Sequence, residues 1–157
     1  MMIQGVLGPI DTAELGQTLM HEHITCADWS MRMNFGARFF EFDQVAEIAA
    51  GQLGKAKALG VCTVVDGTPI NLGRDIRLIR EVARRTGLNF IASTGFYYQE
   101  EPWLYFRDEE EIYDLLMGDC AGGISGTGSK PGILKAGVGR GGLTPLLQKV
   151  LHATGRV

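Results

Sequence analysis

The sequence predicts a parallel α/β fold, and three observations carry that prediction. Short apolar strands alternate with amphipathic helices four times along the chain. The run Val61-Cys62-Thr63-Val64-Val65 is continuously β-strand-like, as expected of a strand buried on both faces. The polar residues His23, Asp66, Thr94 and Lys135 fall at or near the C-terminal ends of the predicted strands, where α/β enzymes of both open and closed sheets build their sites.

Each element has its own local signal. The first strand runs from Gln17 through His23 and gives way to a long loop, Ala27 to Phe42. Asp43 then offers an N-cap for a helix whose Val45, Ile48, Ala49, Leu53, Ala56 and Leu59 form a stripe of period 3.6, closed by Gly60. After the strand at Val61–Val65 and the turn Asp66-Gly67-Thr68-Pro69, a second helix spans about Arg74 to Arg85, stopped by Thr86-Gly87. Leu88 to Ser93 is the third strand, followed by an aromatic-rich loop from Thr94 to Phe106. A third helix covers Asp108 to about Cys120 with acids in its first turn, Gly132 to Ala136 is a short fourth strand, and Pro145 to His152 a last short helix. Thr154-Gly155-Arg156-Val157 reads as the lead-in to a fifth strand.

Strand-helix repeats require right-handed crossovers and a parallel sheet, which periodicity alone leaves as either an open doubly wound sheet or a (β/α)₈ barrel. No GxGxxG follows the first strand and no GxxxxGK[ST] occurs, so nucleotide-phosphate binding lacks its usual signature and the barrel gains by default. The chain has 157 residues, 45% hydrophobic and 21% charged, enough for one core. A net charge of -3 leaves no basic stripe for nucleic acid. Cys26, Cys62 and Cys120 are odd in number and lack CxxC spacing, which points to free thiols in a reducing, cytoplasmic compartment. No run reaches the roughly 18 apolar residues of a membrane span, and Met1 to Ile10 has no basic segment ahead of an apolar one, so neither membrane insertion nor secretion is expected.

The chemistry-bearing motif is His21-Glu22-His23. Alternation on a strand puts the two imidazoles on one face about 7 Å apart along the backbone, with Glu22 on the other. Two imidazoles on one face can share a metal ion, although a lone HxH is more often structural. Lys135, taken alone, is an ordinary strand-end surface lysine. Asp66 reads as a loop anchor, and Arg74 and Asp75 as residues that tie down a loop and cap a helix. The aromatic cluster Phe96, Tyr97, Tyr98, Trp103, Tyr105 and Phe106 either covers a barrel rim or lines an apolar pocket.

Taken together, Thr18-Leu19-Met20-His21-Glu22-His23-Ile24, Val64-Val65-Asp66-Gly67-Thr68, Gly73-Arg74-Asp75, Ser93-Thr94-Gly95-Phe96-Tyr97 and Gly132-Ile133-Leu134-Lys135 occur in the order and spacing of the phosphotriesterase family, which this chain resembles through nearly its whole length. The resemblance implies a (β/α)₈ TIM-type barrel of the amidohydrolase superfamily. It implies that His21 and His23 bind the more buried of two metal ions, zinc by default, and that Lys135, as the N6-carboxylated carbamate, bridges it to the second. Some relatives carry a glutamate one position after this lysine's slot; here that residue is Ala136. A bare ammonium repels a divalent cation, whereas a carbamate offers two anionic oxygens to metals about 3.5 to 4 Å apart. The activity so implied is hydrolysis of a lactone or phosphotriester by a metal-activated hydroxide. Tyr97, Tyr98 and Trp103 are the candidate substrate-binding residues, with Tyr97 where lactonase-like relatives carry a tyrosine near the substrate.

Members of that family run to about twice this length. Residues 1–157 are therefore expected to be a single domain, the N-terminal half of the barrel and about its first four β/α units. They supply at most half of the expected ligand set. His152, on the last helix, has no role. Four strands alone leave two unpaired edges, so the chain is expected to pair with a second copy or to aggregate unless the remaining half is present. The rival reading is a catalytically inactive half-barrel that persists as a metal-binding remnant or interaction module.

Overall fold

The computed structural model describes residues 1–157. Its centre is a four-stranded parallel sheet in the order β3 (Gln17–Glu22), β4 (Val61–Asp66), β5 (Asn89–Phe96) and β6 (Ile133–Ala136). Consecutive strands are neighbours, so the order never reverses as it would in a doubly wound sheet. The sheet is curled. The side chains of His21 on β3 and Lys135 on β6, the two outer strands, meet at 2.9 Å. Three flat inter-strand spacings would hold those backbones roughly 14 Å apart. This is half of a (β/α)₈ barrel.

A hairpin absent from the sequence-based reading precedes the sheet: β1 (Met2–Gly5) pairs antiparallel with β2 (Gly8–Asp11). Its Ile3 and Ile10 pack with Val65, Ile91 and Ile133 in a cluster on the concave face, and the amide of Val6 donates to Phe90 O. The hairpin thereby closes the floor of the half-barrel. Its strands are four residues each, too short to show an alternating pattern.

Helices cover the convex face. Val61, Val64, Phe90 and Ala92 pack against Ala46 of α2 (Phe42–Ala58) and against Ile76, Leu78, Ile79, Val82 and Ala83 of α3 (Ile76–Thr86). A second cluster joins Phe96 and Leu104 to Ile112 and Leu116 of α4 (Glu109–Gly122) and Leu146, Val150 and Ala153 of α5 (Pro145–Arg156). Full burial of each large side chain contributes roughly 1.5–3 kcal/mol. Capping fixes where the helices start. Asp75 accepts from the amides of Arg77 and Leu78 to open α3, Gly87 closes it at φ 62, and Asp108 and Glu111 form a reciprocal capping box on α4.

Several expected boundaries are corrected. The segment Ala27–Phe42 is not all loop: α1 (Trp29–Phe35), capped by Asp28, and a 3₁₀ turn at Gly36–Arg38 lie within it. Arg32 of α1 sits between the rings of Trp29 and Phe40 and pairs with Asp75, contacts invisible to periodicity. The N-cap of α2 is Glu41, whose carboxylate accepts from Asp43 N and Gln44 N, so Asp43 lies inside the first turn. The third strand continues to Phe96, and α5 runs on through Arg156, so the final residues are helix and not the start of a strand. All three cysteines are free, and no helix is long and apolar enough to cross a membrane.

The edge strands β3 and β6 carry exposed apolar side chains, Met20 at 68% and Leu134 at 43%. Between them, Gly95 controls the curl. Its φ is +132, and a Cβ there would lie 1.8 Å from Lys135 O. Gly95→Ala is expected to destabilise the protein by more than about 2 kcal/mol in urea unfolding and to displace Lys135. A stability within error of the parent would contradict this packing.

Candidate metal centre

The site lies at the C-terminal mouth of the half-barrel. The β3–β4 ladder shifts register between Leu19 and Glu22, just where the histidines begin, so strand pairing alone does not position them. Asp66 takes over. It is 1% exposed; one carboxylate oxygen accepts from Ile24 N at 3.0 Å and the other from Thr68 N at 2.9 Å. Gly67 N donates to Glu22 O, completing the clamp. Thr68 is buried, and its Oγ1 lies 2.9 Å from His23 Nδ1. In the tautomer that donates from Nδ1 to Thr68, His23 Nε2 keeps a free lone pair, the arrangement typical of ligating histidines.

His21 and His23 lie edge to face with ring centroids 5.1 Å apart. The His21 ring rests against the backbone at Gly67, where a Cβ would come within 2.8 Å of Cδ2. Burial pushes the His23 imidazole below its ordinary pKa. The charge of Asp66 opposes that shift, while His21 and Lys135 reinforce it. A neutral imidazole is the form that binds metal.

Lys135 projects to the same concave face as Ile133 and brings Nζ to His21 Nε2. The ammonium donates to the lone pair that a metal ion would take. Lys135 Nζ and His21 Nε2 therefore meet, with the His23 ring beside that of His21, and two imidazoles plus an amine that can become a carbamate are donor types that suit a divalent ion. No cluster of three or more His, Cys, Asp or Glu side chains suited to holding a metal occurs in the chain. His152 is on the outer helix layer, 3.6 Å from Glu109.

The remaining candidates separate. Tyr97 and Tyr98, with ring centroids 4.3 Å apart, line a cavity of about 610 Å³ beyond Lys135, together with Glu100, Arg140 and Thr144. Trp103 instead packs on Phe96 and lines a separate hollow with Ile70, Asn71 and Glu101. Thr94 turns away from the mouth and donates to Asp119 of α4, which also pairs with Arg74 at 2.8 Å. Of the positions singled out from the sequence, His21, His23, Lys135, Asp66, Tyr97 and Tyr98 lie at the mouth. Thr68 was missed, and its signal was present in the turn Asp66-Gly67-Thr68-Pro69.

Asp66→Ala would leave two amides unpaired, each costing about 1–3 kcal/mol where buried. Both a lowered unfolding midpoint and loss of the His23–Thr68 hydrogen bond, read by imidazole ¹⁵N shifts, are expected. Unchanged His23 shifts would contradict the clamp.

A sequence profile of the phosphotriesterase family matches residues 1–157. The chain is 41% identical over 155 residues to a phosphotriesterase homology protein of Mycobacterium tuberculosis, covering 93% of this chain and 48% of that protein. It is 36% identical over 146 residues to an aryldialkylphosphatase of Saccharolobus solfataricus, covering 92% and 46%, and 29% identical over 180 residues to an N-acetyltaurine hydrolase of Rattus norvegicus, covering 97% and 52%. It thus spans about half the length of the curated relatives it matches. A family match that spans residues 1–157, on a curled strand order with a histidine pair at its mouth, identifies the chain as a member of the phosphotriesterase family.

Proposed function

We propose that this chain is the N-terminal half of a metal-dependent hydrolase, to which it contributes His21, His23 and the carbamate of Lys135 as metal ligands. The convergence of Lys135 Nζ on His21 Nε2 at 2.9 Å carries the reading, because two outer strands bring these groups together only at a curled mouth. Divalent ions bound there, zinc by default, would supply Lewis acidity and make water acidic enough to be activated near neutral pH. The residues of the chain do the positioning. Asp66 and Thr68 orient His23, Gly67 seats His21, and Gly95 lets β6 approach closely enough to deliver Lys135.

The substrate is an ester-like molecule with phosphorus or carbonyl as the electrophile. Both centres are represented in the names of relatives, aryldialkylphosphatase and N-acetyltaurine hydrolase. Tyr97, which lines the cavity wall, stands where lactonase-like relatives carry a tyrosine, and that resemblance leans the proposal toward a lactone over a phosphotriester. The remaining ligands belong to a second half that pairs with the β3 and β6 edges, and three free thiols suit a cytoplasmic setting. A second reading, a remnant that holds metal weakly or none, is favoured by the lack of a third His, Cys, Asp or Glu in the donor set.

Elemental analysis of protein purified with zinc and bicarbonate separates the two readings. Retained zinc, lost in His21→Ala/His23→Ala and reduced when bicarbonate is omitted, is expected. Equal zinc in parent and double variant would overturn the proposed ligands. Once the second half is supplied, lactones should be cleaved faster than phosphotriesters, and a reversed preference would contradict the role of Tyr97.

A further inference from the structure

The cavity beyond Lys135 has a property that an apolar, uncharged substrate does not use. Its walls are the paired rings of Tyr97 and Tyr98 on one side and the Gly-rich turn Val138 to Gly142 on the other, where Gly139 and Gly142 bridge. A Cβ at Gly139 would lie 2.7 Å from the Tyr98 ring, so the turn packs directly on the aromatic wall. Two charged residues line the space. Glu100 is already satisfied: it accepts from Tyr105 OH at 2.6 Å and from Thr144 Oγ1, and these hydroxyls hold its carboxyl below the usual range. Arg140, at the tip of the turn, is exposed and makes no ion pair.

We infer that Arg140 is a specificity-determining residue that binds an anionic group, a carboxylate or sulfonate, on the part of the substrate remote from the cleaved bond. The inference rests on the hydrolase reading and narrows its substrate class. A guanidinium presents a planar fork of donors that matches the oxygens of such groups, and the tyrosine rings supply a flat apolar surface for the chain between that group and the reacting centre. The occupied Glu100 fixes the loop after β5 to the start of α5 and so holds both walls in register.

Benzenesulfonate and its uncharged counterpart benzenesulfonamide, of nearly equal size, test this by amide chemical-shift titration of the full chain. Saturable shifts at Gly139, Arg140 and Gly141 are expected with the sulfonate, weakened about tenfold or more by Arg140→Gln and largely kept by Arg140→Lys, while the sulfonamide binds weakly. Equal binding of the two probes, unaltered sulfonate binding in Arg140→Gln, or no saturable shift in the parent would overturn the inference. Zinc retention, measured on the same samples, is expected to be unchanged in Arg140→Gln. Loss of sulfonate selectivity with zinc retained refutes only the Arg140 assignment, whereas sulfonate selectivity without zinc binding refutes the metal reading instead.

Discussion

The buried carboxylate of Asp66 is the contact on which the mouth of this half-barrel depends. The β3–β4 ladder shifts once after Gln17, pairs Thr18 and Leu19 with Thr63 and Val64, and slips again before Glu22. Beyond the slip, one oxygen of Asp66 holds the backbone at Ile24 and the other holds Thr68, which in turn meets His23. A strand end that would otherwise fray is thereby tied into the neighbouring βα turn. A buried carboxylate is costly unless its oxygens are satisfied, and both are. Position and stability thus come from the same group: what fixes the imidazole also satisfies the charge.

Curl is the second requirement. Parallel strands twist by themselves, but carrying the first and fourth close enough for side-chain contact needs β5 and β6 to pack without a Cβ between them. Gly95 supplies that clearance. The floor hairpin then fills the concave side at the other end with Ile3 and Ile10, leaving the mouth to polar groups. The result is a division along each strand: apolar residues such as Val65, Ile91 and Ile133 below, and His21, His23 and Lys135 above. The open edges at β3 and β6 are the consequence of having four strands where a closed barrel has eight.

Much of this was legible in the residues. The four strands, and α2, α3 and α4, were visible from period and punctuation, and the histidine pair from alternation. The misses have common physical causes. The hairpin strands and α1 are too short for a period to register, and α1 is held by Arg32 packing on Trp29 and Phe40, a tertiary effect. Glu41 takes the cap because the helix begins two residues earlier than the apolar stripe suggests: its carboxylate accepts from the amides of Asp43 and Gln44, which places Asp43 inside the first turn. Thr94 and Trp103 were placed at the mouth by their position at and after a strand end, but β5 continues to Phe96, so Thr94 lies inside the strand on the face it shares with Phe90 and Ala92 and donates to Asp119, while Trp103 packs on Phe96. The role of Thr68 depends on a hydrogen bond across 45 residues that no local pattern encodes.

The outer strands of this chain bring His21 and Lys135 together at one mouth. The most direct measurement is a nuclear Overhauser experiment on the metal-free protein, between the His21 ring protons and the Lys135 side-chain methylenes. A cross-peak between them, alongside those linking Ile133 to Ile91, is the result this account predicts. Intact contacts within the sheet but none between His21 and Lys135 would contradict it, and with it the assignment of these residues to one site.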